Sequence, residues 1–376
     1  MLQYIWQHPD WPNFCWNNDQ LMALLGDCRL RQGKLLSRAG ALGAEHRLEA
    51  QAEILSIETI QTAAIEGELL DRDSVKSSVA RRLGLPSAGL PPSDRSADGL
   101  VEVLLDATTG CERPLTGVRI KGWQAALFPT GYSGLHLIRV GQWRGTEPMR
   151  VLSGPTGRET IHFEAPPGDQ VTDEMGRFID WWAGEAGKIE GLIRAGIAHF
   201  RFVTIHPFED GNGRIARALT DMALAQDEGV PVRFYSLSAQ VMAEREEYYS
   251  VLERSQRGDC DITNWLAWFL GCFHRAVERS ENLIDLVLMK ARFWQKHVQT
   301  NLTDRQRKVT NRLLDAGPGG FTGGLSTRKY VSMARTSRAT AYREIIDLVQ
   351  KGVLRRNPGG GRSASYDLAW PDAGEG

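Results

Sequence analysis

One stretch of twelve residues decides how this chain folds and what it can do: His206-Pro207-Phe208-Glu209-Asp210-Gly211-Asn212-Gly213-Arg214-Ile215-Ala216-Arg217. The imidazole of His206 exchanges a proton near neutral pH, so it can act as a general base toward an attacking hydroxyl. Asp210 offers carboxylate oxygens, which Mg²⁺ takes together with substrate phosphates. The stretch therefore combines a base with a candidate metal ligand.

The second half of the stretch is suited to a polyphosphate. Residues 211–213 include two glycines, which let backbone N–H groups converge on an anion. An apolar pattern from Ile215 to Leu224 predicts a helix whose positive N-terminal end points at the same anion. Arg214 and Arg217 lie three residues apart on that helix, so they share a face and can hold phosphates. The combination indicates nucleotide chemistry.

Every position of the stretch matches the motif of Fic-domain proteins, His-Pro-Phe-x-Asp/Glu-Gly-Asn-Gly-Arg-x-x-Arg, and the chain resembles that family. The usual reaction of the family is AMPylation, in which AMP passes from ATP to a Ser, Thr or Tyr hydroxyl of a protein and pyrophosphate leaves. The resemblance implies that His206 is the catalytic base and that Asp210 binds Mg²⁺. It assigns the binding of the ATP phosphates to Asp210, Gly211, Asn212, Gly213, Arg214 and Arg217.

Length and composition are those of an ordinary globular protein. The chain has 376 residues, of which 42% are hydrophobic and 24% charged, and a net charge of −1. Its five cysteines are scattered without metal-ligand spacing, so neither a disulfide framework nor a zinc site is expected. The sequence shows neither a signal peptide pattern nor an apolar run of about eighteen residues. We therefore expect a cytoplasmic protein without a membrane span.

Hydrophobic periodicity predicts a mainly α fold. Helical patterns cover residues 19–83, resume near Ala97 and return from about Thr172, and the Gly- and Pro-rich residues 84–93 interrupt them. Residues 4–12 resemble the start of a subgroup of Fic proteins. That resemblance and the periodicity together predict an N-terminal helical domain at 1–105, a Fic core at 106–290 and a winged-helix domain at 300–370.

The pattern indicates one β-hairpin within the helical core. Its strands are predicted at 150–153 and 159–163, with a turn at 154–157. The resemblance implies that this hairpin is the flap of Fic proteins, at 148–165, which clamps the target by main-chain pairing. The residues expected to line the nucleotide and hold the target backbone are Ile161, His162, Phe163 and Glu164. A surface excursion without a functional role is the alternative.

Residues downstream of the motif resemble the family segment beside the adenine. They are Tyr248, Tyr249 and Gln256, and the alternative is that the tyrosines belong to the core. We interpret His199, upstream of the motif, as a core histidine rather than as a second base.

A second motif resembles the inhibitory motif of Fic proteins, Ser/Thr-x-x-x-Glu-Gly/Asn. It consists of Thr62, Glu66 and Gly67, on a helix predicted near 56–70, where Thr62 and Glu66 face the same way. The resemblance implies that Glu66 pairs with Arg217 and keeps the γ-phosphate of ATP from its productive position. The alternative is a solvated helix face. In some relatives the same glutamate aligns a water for removal of AMP.

The C-terminal segment is basic. Residues 303–366 contain thirteen Lys and Arg against four Asp and Glu, a net charge of +9, so the rest of the chain carries −10. Three predicted helices and two strands resemble a winged helix-turn-helix. The side chains expected to face a DNA groove are Ser337, Arg338, Thr340 and Arg343. A protein-docking or dimerisation module is equally compatible with this pattern.

Together these features predict a Mg²⁺-dependent protein adenylyltransferase that Glu66 autoinhibits. ATP is the expected co-substrate, and the partner is a protein with a hydroxyl side chain. Two alternatives remain: a phosphodiesterase that removes AMP from a modified protein, and a DNA-bound regulator whose Fic core senses a nucleotide. The sequence leaves open the target protein, the nucleotide and whether the chain forms a homodimer.

Overall fold

The computed structural model describes residues 3–86, 90–153, 160–358 and 364–370. Most of these residues are helical, as the sequence predicts. Contacts divide the chain into two compact units, Met1–Glu281 and Asn282–Gly376. The domain bounds inferred from the sequence stay a prediction.

In the described part of the first unit, helices are interrupted by two short hairpins. The elements, in chain order, are α1 (Asn18–Gly40), α2 (Ala44–Ile65), α3 (Arg72–Leu83), α4 (Arg95–Thr109), α5 (Gly117–Leu127), β1 (Tyr132–Ser133), β2 (His136–Leu137), β3 (Arg150–Ser153), β4 (Thr160–Glu164), α6 (Val171–Gly184), α7 (Gly191–Ile205), α8 (Asn212–Glu228), α9 (Leu237–Ala243), α10 (Arg245–Gln256) and α11 (Thr263–Lys296), which continues into the second unit.

Polar side chains fix where several helices begin. Each accepts a hydrogen bond from the backbone N–H three residues further on, and such a cap contributes about 1 kcal/mol. These caps are Asn17 for α1, Asp71 for α3, Asp94 for α4 and Thr116 for α5. Helix α3 ends where Gly84 takes a φ of +70°, which begins the break predicted at 84–93. Residues 87–89 of that segment lie outside the described residues.

Helices α7 and α8 form the centre of the first unit and flank the motif. Every residue from Leu192 to Ile205 is buried, and so are most residues of α8. Phe200 and Phe202 are fully buried, and each such side chain contributes about 1.5–3 kcal/mol relative to exposure. The loop between the two helices is thus held at both ends by packed structure.

Helix α2 docks on the start of α9 through a buried carboxylate. Glu58 is buried and accepts hydrogen bonds from the hydroxyl of Ser236 at 2.6 Å and from the backbone N–H of Ser238 at 3.1 Å. Both partners lie at the start of α9. Because buried polar groups are costly to leave unpaired, these bonds fix the position of α2 and of the residues that follow it.

The predicted flap hairpin is present. Strands β3 and β4 are antiparallel, with Val151 opposite Phe163 and Leu152 opposite Ile161, so His162 is the extra residue of a β-bulge. The predicted turn at 154–157 and the start of the second strand at Glu159 lie outside the described residues. Tyr4 supports the flap, because its ring packs edge-on against Phe163 with 5.2 Å between the ring centroids.

The expectation of a single hairpin in the core is wrong. Strands β1 and β2 form a second one, in which Ser133 pairs with His136 across a two-residue loop. Gly134, with φ of +55°, occupies the first loop position, as such tight turns require. Two-residue strands are too short to show an alternating pattern, and the Gly-x pair was their one available signal.

The second unit is a compact helical body with a small sheet. It contains α12 (Asp304–Ala316), α13 (Thr327–Ala334), α14 (Arg338–Gln350) and the antiparallel strands β5 (Leu354–Arg356) and β6 (Tyr366–Leu368), with Leu325 bridging to Tyr366. A core that includes Phe293, Val309 and Tyr330 holds them together. Residues 359–363, where the wing turn is predicted, lie outside the described residues. The winged-helix interpretation stays a prediction.

None of the helices in the described ranges is both long enough and apolar enough to span a membrane.

Candidate active site

His206 ends helix α7 in an unusual backbone conformation. Its φ and ψ are 52° and 58°, in the left-handed region, and its backbone N–H donates to the carbonyl of Phe202 at 3.0 Å. A non-glycine residue there is uncommon and such strain concentrates at functional sites. The ring Nδ1 lies 3.2 Å from the carbonyl oxygen of Val203. Because a carbonyl only accepts, Nδ1 carries the hydrogen and Nε2 keeps its lone pair.

The surroundings keep the ring of His206 neutral. Burial lowers the pKa of His206, the Val203 hydrogen bond acts in the opposite direction, and the charge of Arg144 lowers the pKa further. The side chain is therefore in its basic form at neutral pH, as a general base requires.

Arg144 holds the backbone on both sides of the site and was not foreseen from the sequence. Its Nε donates to the carbonyl of His206 at 2.8 Å, its Nη2 to that of Pro166, and its backbone N–H to that of Pro207 at 2.8 Å. The side chain is buried, and burial lowers its pKa to about 10. Arg144 thereby ties the base of the flap to the loop that carries His206.

The loop from Asp210 to Gly213 opens helix α8. Gly211 has φ of +90°, and a Cβ on it would lie 3.0 Å from the ring of Phe128. The side chain of Asn212 braces the loop, since it accepts from the N–H of Phe208 at 3.0 Å and donates to its carbonyl at 2.8 Å. Asn212 can therefore contribute to anion binding only through its backbone. The N–H of Gly211 donates to Oδ1 of Asp210 at 2.6 Å. The first N–H groups of α8, which have no partner within the helix, are the ones suited to an anion.

Asp210 is the carboxylate best placed for a metal. Its side chain is 39% exposed, the hydroxyl of Ser133 donates to Oδ2, and the guanidinium of Arg214 is 3.7 Å from Oδ1. Ser133 lies in the unforeseen hairpin. Among the described residues no group of three or more His, Cys, Asp or Glu side chains converges as metal ligands. Asp210 thus fits a cation that draws its remaining ligands from water and phosphate.

Arg217 is in contact with Thr62 and Glu66, two of the three residues of the second motif. It is 2% exposed, and its Nη2 donates to Oε1 of Glu66 at 2.8 Å and to the carbonyl of Thr62 at 2.9 Å. Its Nε donates to the hydroxyl of Thr62. The predicted pairing of Glu66 with Arg217 is therefore present. A Cβ on Gly213 would lie 2.1 Å from Oε1 of Glu66, so the glycine leaves room for this carboxylate.

Arg214 has a carboxylate partner that the sequence did not suggest. Its Nη1 donates to Oε2 of Glu68 at 2.8 Å, and its guanidinium lies 4.8 Å from the ring centroid of Phe128. Glu68 belongs to no motif in the sequence. Gly67, which reverses the chain, was the only feature of the sequence that could have indicated a contact by Glu68.

The four predicted flap residues differ in what they contact. Phe163 is buried, Glu164 pairs with Arg150 at 2.7 Å and His162 pairs with Glu253 at 2.7 Å. Ile161 is 40% exposed. The flap is thus anchored through Phe163, and Ile161 is the residue most available to a ligand.

The residues predicted beside the adenine are largely inside the protein. Tyr248 and Gln256 are buried, and their polar atoms bond to His199 and Thr204. Tyr249 is half-buried, and its hydroxyl donates to the carbonyl of Ile65 at 3.4 Å. The adenine contact stays a prediction, and the geometry favours Tyr249 for it.

His199 is a core histidine, as predicted. Its ring bonds to the hydroxyls of Thr220 at 3.0 Å and Tyr248 at 2.9 Å. Burial, and secondarily the charge of Arg217, lower its pKa to about 3, so it stays neutral.

Comparison with known proteins matches two parts of the chain. Residues 114–224 match the protein family described as the Fic/DOC family, and residues 4–85 match a domain of unknown function, DUF4172. The protein named protein adenylyltransferase Fic from Nematostella vectensis is 28% identical over 147 residues, which is 38% of this chain and 30% of that protein. Protein adenylyltransferase fic-1 from Caenorhabditis elegans is 34% identical over 92 residues, 24% of this chain and 17% of that protein. The matched part thus spans less than a third of either relative.

A solved structure extends the likeness to the whole fold. The crystal structure of a Fic family protein from Desulfovibrio desulfuricans G20 superposes with a TM-score of 0.50 and 20% identity, over 95% of this chain and 97% of that one. At this identity it shows the fold alone. The motif, the fold and the family match at residues 114–224 agree, and the chain therefore carries a Fic/DOC family domain.

Proposed function

We propose that this chain is a protein adenylyltransferase that moves AMP from ATP to a Ser, Thr or Tyr hydroxyl of a protein, with Mg²⁺ as cofactor. The observation that carries the proposal is the juxtaposition, across one short loop, of a neutral His206 with a free Nε2 and a helix start that bears two buried arginines. The relatives named protein adenylyltransferase support the same reaction. We place it in the cytoplasm, since all five cysteines are free thiols.

In the proposed reaction His206 removes the proton of the target hydroxyl. The hydroxyl oxygen attacks the α-phosphorus of ATP, a new O–P bond forms, and the bond from the α-phosphorus to the bridging oxygen breaks. Pyrophosphate takes the electron pair of that bond, and the proton stays on Nε2 of His206 until solvent removes it. A positioned base of this kind contributes roughly 10²–10⁴ in rate.

The remaining motif residues align the nucleotide. In this proposal the backbone N–H groups of residues 212 and 213 bind the α-phosphate region, and Arg214 and Arg217 hold the β- and γ-phosphates. Bound Mg²⁺, which Asp210 would hold with phosphate oxygens, neutralises phosphate charge. Such transfer depends mainly on alignment and charge stabilisation.

Glu66 restrains this reaction in our proposal. It occupies Arg217 at 2.8 Å, with the carboxylate 31% exposed, so the anchor for the γ-phosphate is taken and the phosphate meets a negative charge. Removing the carboxylate frees Arg217 and lets the nucleotide adopt the productive position.

The test compares wild type, Glu66→Gly and Glu66→Gly/His206→Ala, incubated with α-labelled ATP and Mg²⁺ and examined by mass spectrometry. We expect Glu66→Gly to add adenylate to itself or to lysate proteins faster than wild type, and the double variant to add none. A different added mass, or transfer without His206, overturns the proposal. Removal of AMP from the modified protein by wild type, abolished in Glu66→Gly, would instead favour the phosphodiesterase.

A second candidate function, duplex DNA binding, is favoured by the charges of the second unit. Three of its acidic side chains are already paired: Asp315 with Lys290 at 2.6 Å, Glu344 with Arg305 at 2.7 Å and Asp347 with Lys351 at 2.6 Å. In the described part of the unit, exposed arginines on α13, α14 and β5 have no carboxylate partner; they are Arg328, Arg338, Arg343, Arg355 and Arg356. Such a surplus suits a phosphate backbone.

DNA binding by the second unit predicts a specific dependence of affinity on salt concentration. For the full chain on duplex DNA, Arg338→Ala/Arg343→Ala should reduce the slope of log K against log salt by about 2, because each phosphate contact contributes about 0.9. Arg254→Ala, an exposed arginine on α10, should leave it unchanged. Binding that does not depend on salt, or a slope that the double variant leaves unchanged, speaks for a protein-docking role.

A further inference from the structure

The turn after helix α2 places two carboxylates on one side of the chain. Gly67, with φ of +82°, donates its N–H to Ala64 at 3.0 Å, and Glu68 donates its N–H to Ala63 at 3.1 Å. These two bonds define a Schellman motif, in which the residue after the helix must adopt the left-handed conformation. Glu66 and Glu68 flank that glycine, and both reach the motif helix α8.

The two carboxylates take different arginines. Glu66 binds Arg217 and Glu68 binds Arg214, each at 2.8 Å. Both arginine side chains are more than nine-tenths buried. Among the described residues, Nε of Arg214 and Nη1 of Arg217 are buried without a hydrogen-bond partner. Each arginine therefore retains a donor that an additional anionic oxygen can satisfy.

We propose that Glu68 is a second restraining residue, which holds Arg214 away from the nucleotide as Glu66 holds Arg217. The restraint is then a clamp with two contacts, and release of Glu66 alone leaves the second one closed. This inference rests on the proposed function, because it requires that the two arginines bind the phosphates of ATP.

The physical basis is competition for one guanidinium. The carboxylate of Glu68 neutralises Arg214 and repels an incoming phosphate, and Asp210 adds a second negative group at 3.7 Å. Glu68 is 37% exposed, so water can replace its contact at modest cost. Loss of a partly exposed ion pair should change ATP binding by about two- to fivefold.

The test measures Kd for ATP and for AMP in the presence of Mg²⁺, by calorimetry on the full chain. Wild type is compared with Glu68→Gln, Glu66→Gly and Glu66→Gly/Glu68→Gln. Glu102→Gln is the matched control, because Glu102 is an exposed carboxylate that pairs with Arg82 at 3.0 Å rather than with an arginine of the motif. We expect Glu68→Gln to bind ATP about two- to fivefold more tightly and AMP unchanged, since AMP lacks the β- and γ-phosphates. The double variant should bind ATP more tightly than Glu66→Gly.

Three results would overturn the inference. Glu68→Gln could bind ATP as wild type does, or more weakly, which would mean that Glu68 orients Arg214 for the phosphate. A gain for AMP equal to that for ATP would indicate a general structural effect. If Glu68→Asp, which keeps the charge, behaves like Glu68→Gln, charge competition is not the cause. Transfer activity of Glu66→Gly is measured separately. If Glu66→Gly shows no transfer, the proposed function is refuted. If it shows transfer while Glu68→Gln has the wild-type Kd for ATP, this inference alone is refuted.

Discussion

His206 shows how single side chains prepare this site. Its left-handed backbone turns the ring out of helix α7, and the Val203 carbonyl fixes the hydrogen on Nδ1. Arg144 holds the carbonyl of the same residue and contributes a positive charge nearby. Geometry and charge therefore act together to leave Nε2 basic.

The pH dependence of transfer follows from this arrangement. Burial lowers the pKa of His206 below its ordinary value of 6.5, and the base works in its neutral form. The neutral form persists as the pH falls through 6.5 and is lost only at the lowered pKa. The initial rate of transfer by Glu66→Gly, measured between about pH 5 and 8, should therefore fall as the pH is lowered, and the midpoint of that fall should lie below pH 6.5. His274→Ala, on α11, should show the same profile, and a midpoint at or above 6.5 would contradict the role of His206.

The sequence predicted the residues that share a motif and missed those that come from elsewhere in the chain. His206, Arg217 and Glu66 were identified because their types and spacing are distinctive. Ser133 and Arg144 were missed, since a serine in a short loop and a single arginine carry no pattern until the fold brings them to the motif. Glu68 was missed because its role depends on the turn at Gly67.

At the scale of elements, the end of helix α2 is the part that restrains transfer in our proposal. The Schellman motif needs a left-handed residue at position 67, and the space around the missing Cβ is open. An alanine there causes no clash, but the left-handed conformation costs it about 1–2 kcal/mol. The turn would relax, and both carboxylates would lose their alignment with the arginines.

We therefore expect Gly67→Ala to raise adenylate transfer above wild type while slightly lowering Tm. Gly84→Ala is the matched control, because Gly84 ends α3 with φ of +70° and also has open space around it. It should lower Tm by a similar amount and leave transfer at the wild-type rate. Equal transfer by the two variants would show that general destabilisation, rather than the clamp, controls the rate.

Element predictions succeeded where the pattern is long. Helical periodicity predicted residues 19–83 as helical without dividing them into α1 to α3, and the β3–β4 flap was recognised from two predicted strands around a Gly-Pro turn. The β1–β2 hairpin escaped, although it supplies Ser133 to the site. The sequence of helix α2 predicts that a helix forms but not where it packs, because it contacts several neighbours at once. Its position is set by the tertiary contacts of Glu58.

For the whole molecule, charge and packing separate the C-terminal part from the rest. The net charge of +9 in residues 303–366, against −10 elsewhere, was evident in the sequence. The structure adds that Asn282–Gly376 has its own apolar core, with Val309, Tyr330 and Ile345 fully buried. A segment of this size with a continuous core can fold independently.

Residues 282–376 should therefore unfold cooperatively when produced alone, as followed by Trp fluorescence in urea. Tyr330 is fully buried and its hydroxyl donates to Glu344 at 2.8 Å, so Tyr330→Ala should lower the free energy of unfolding by about 3–5 kcal/mol. Tyr342 is 56% exposed, and Tyr342→Ala should change it by no more than about 0.5 kcal/mol. A gradual transition without a plateau, or equal effects of the two substitutions, would mean that this core does not stabilise the segment by itself. A cooperative transition would allow the second unit to be tested for DNA binding apart from the Fic/DOC domain.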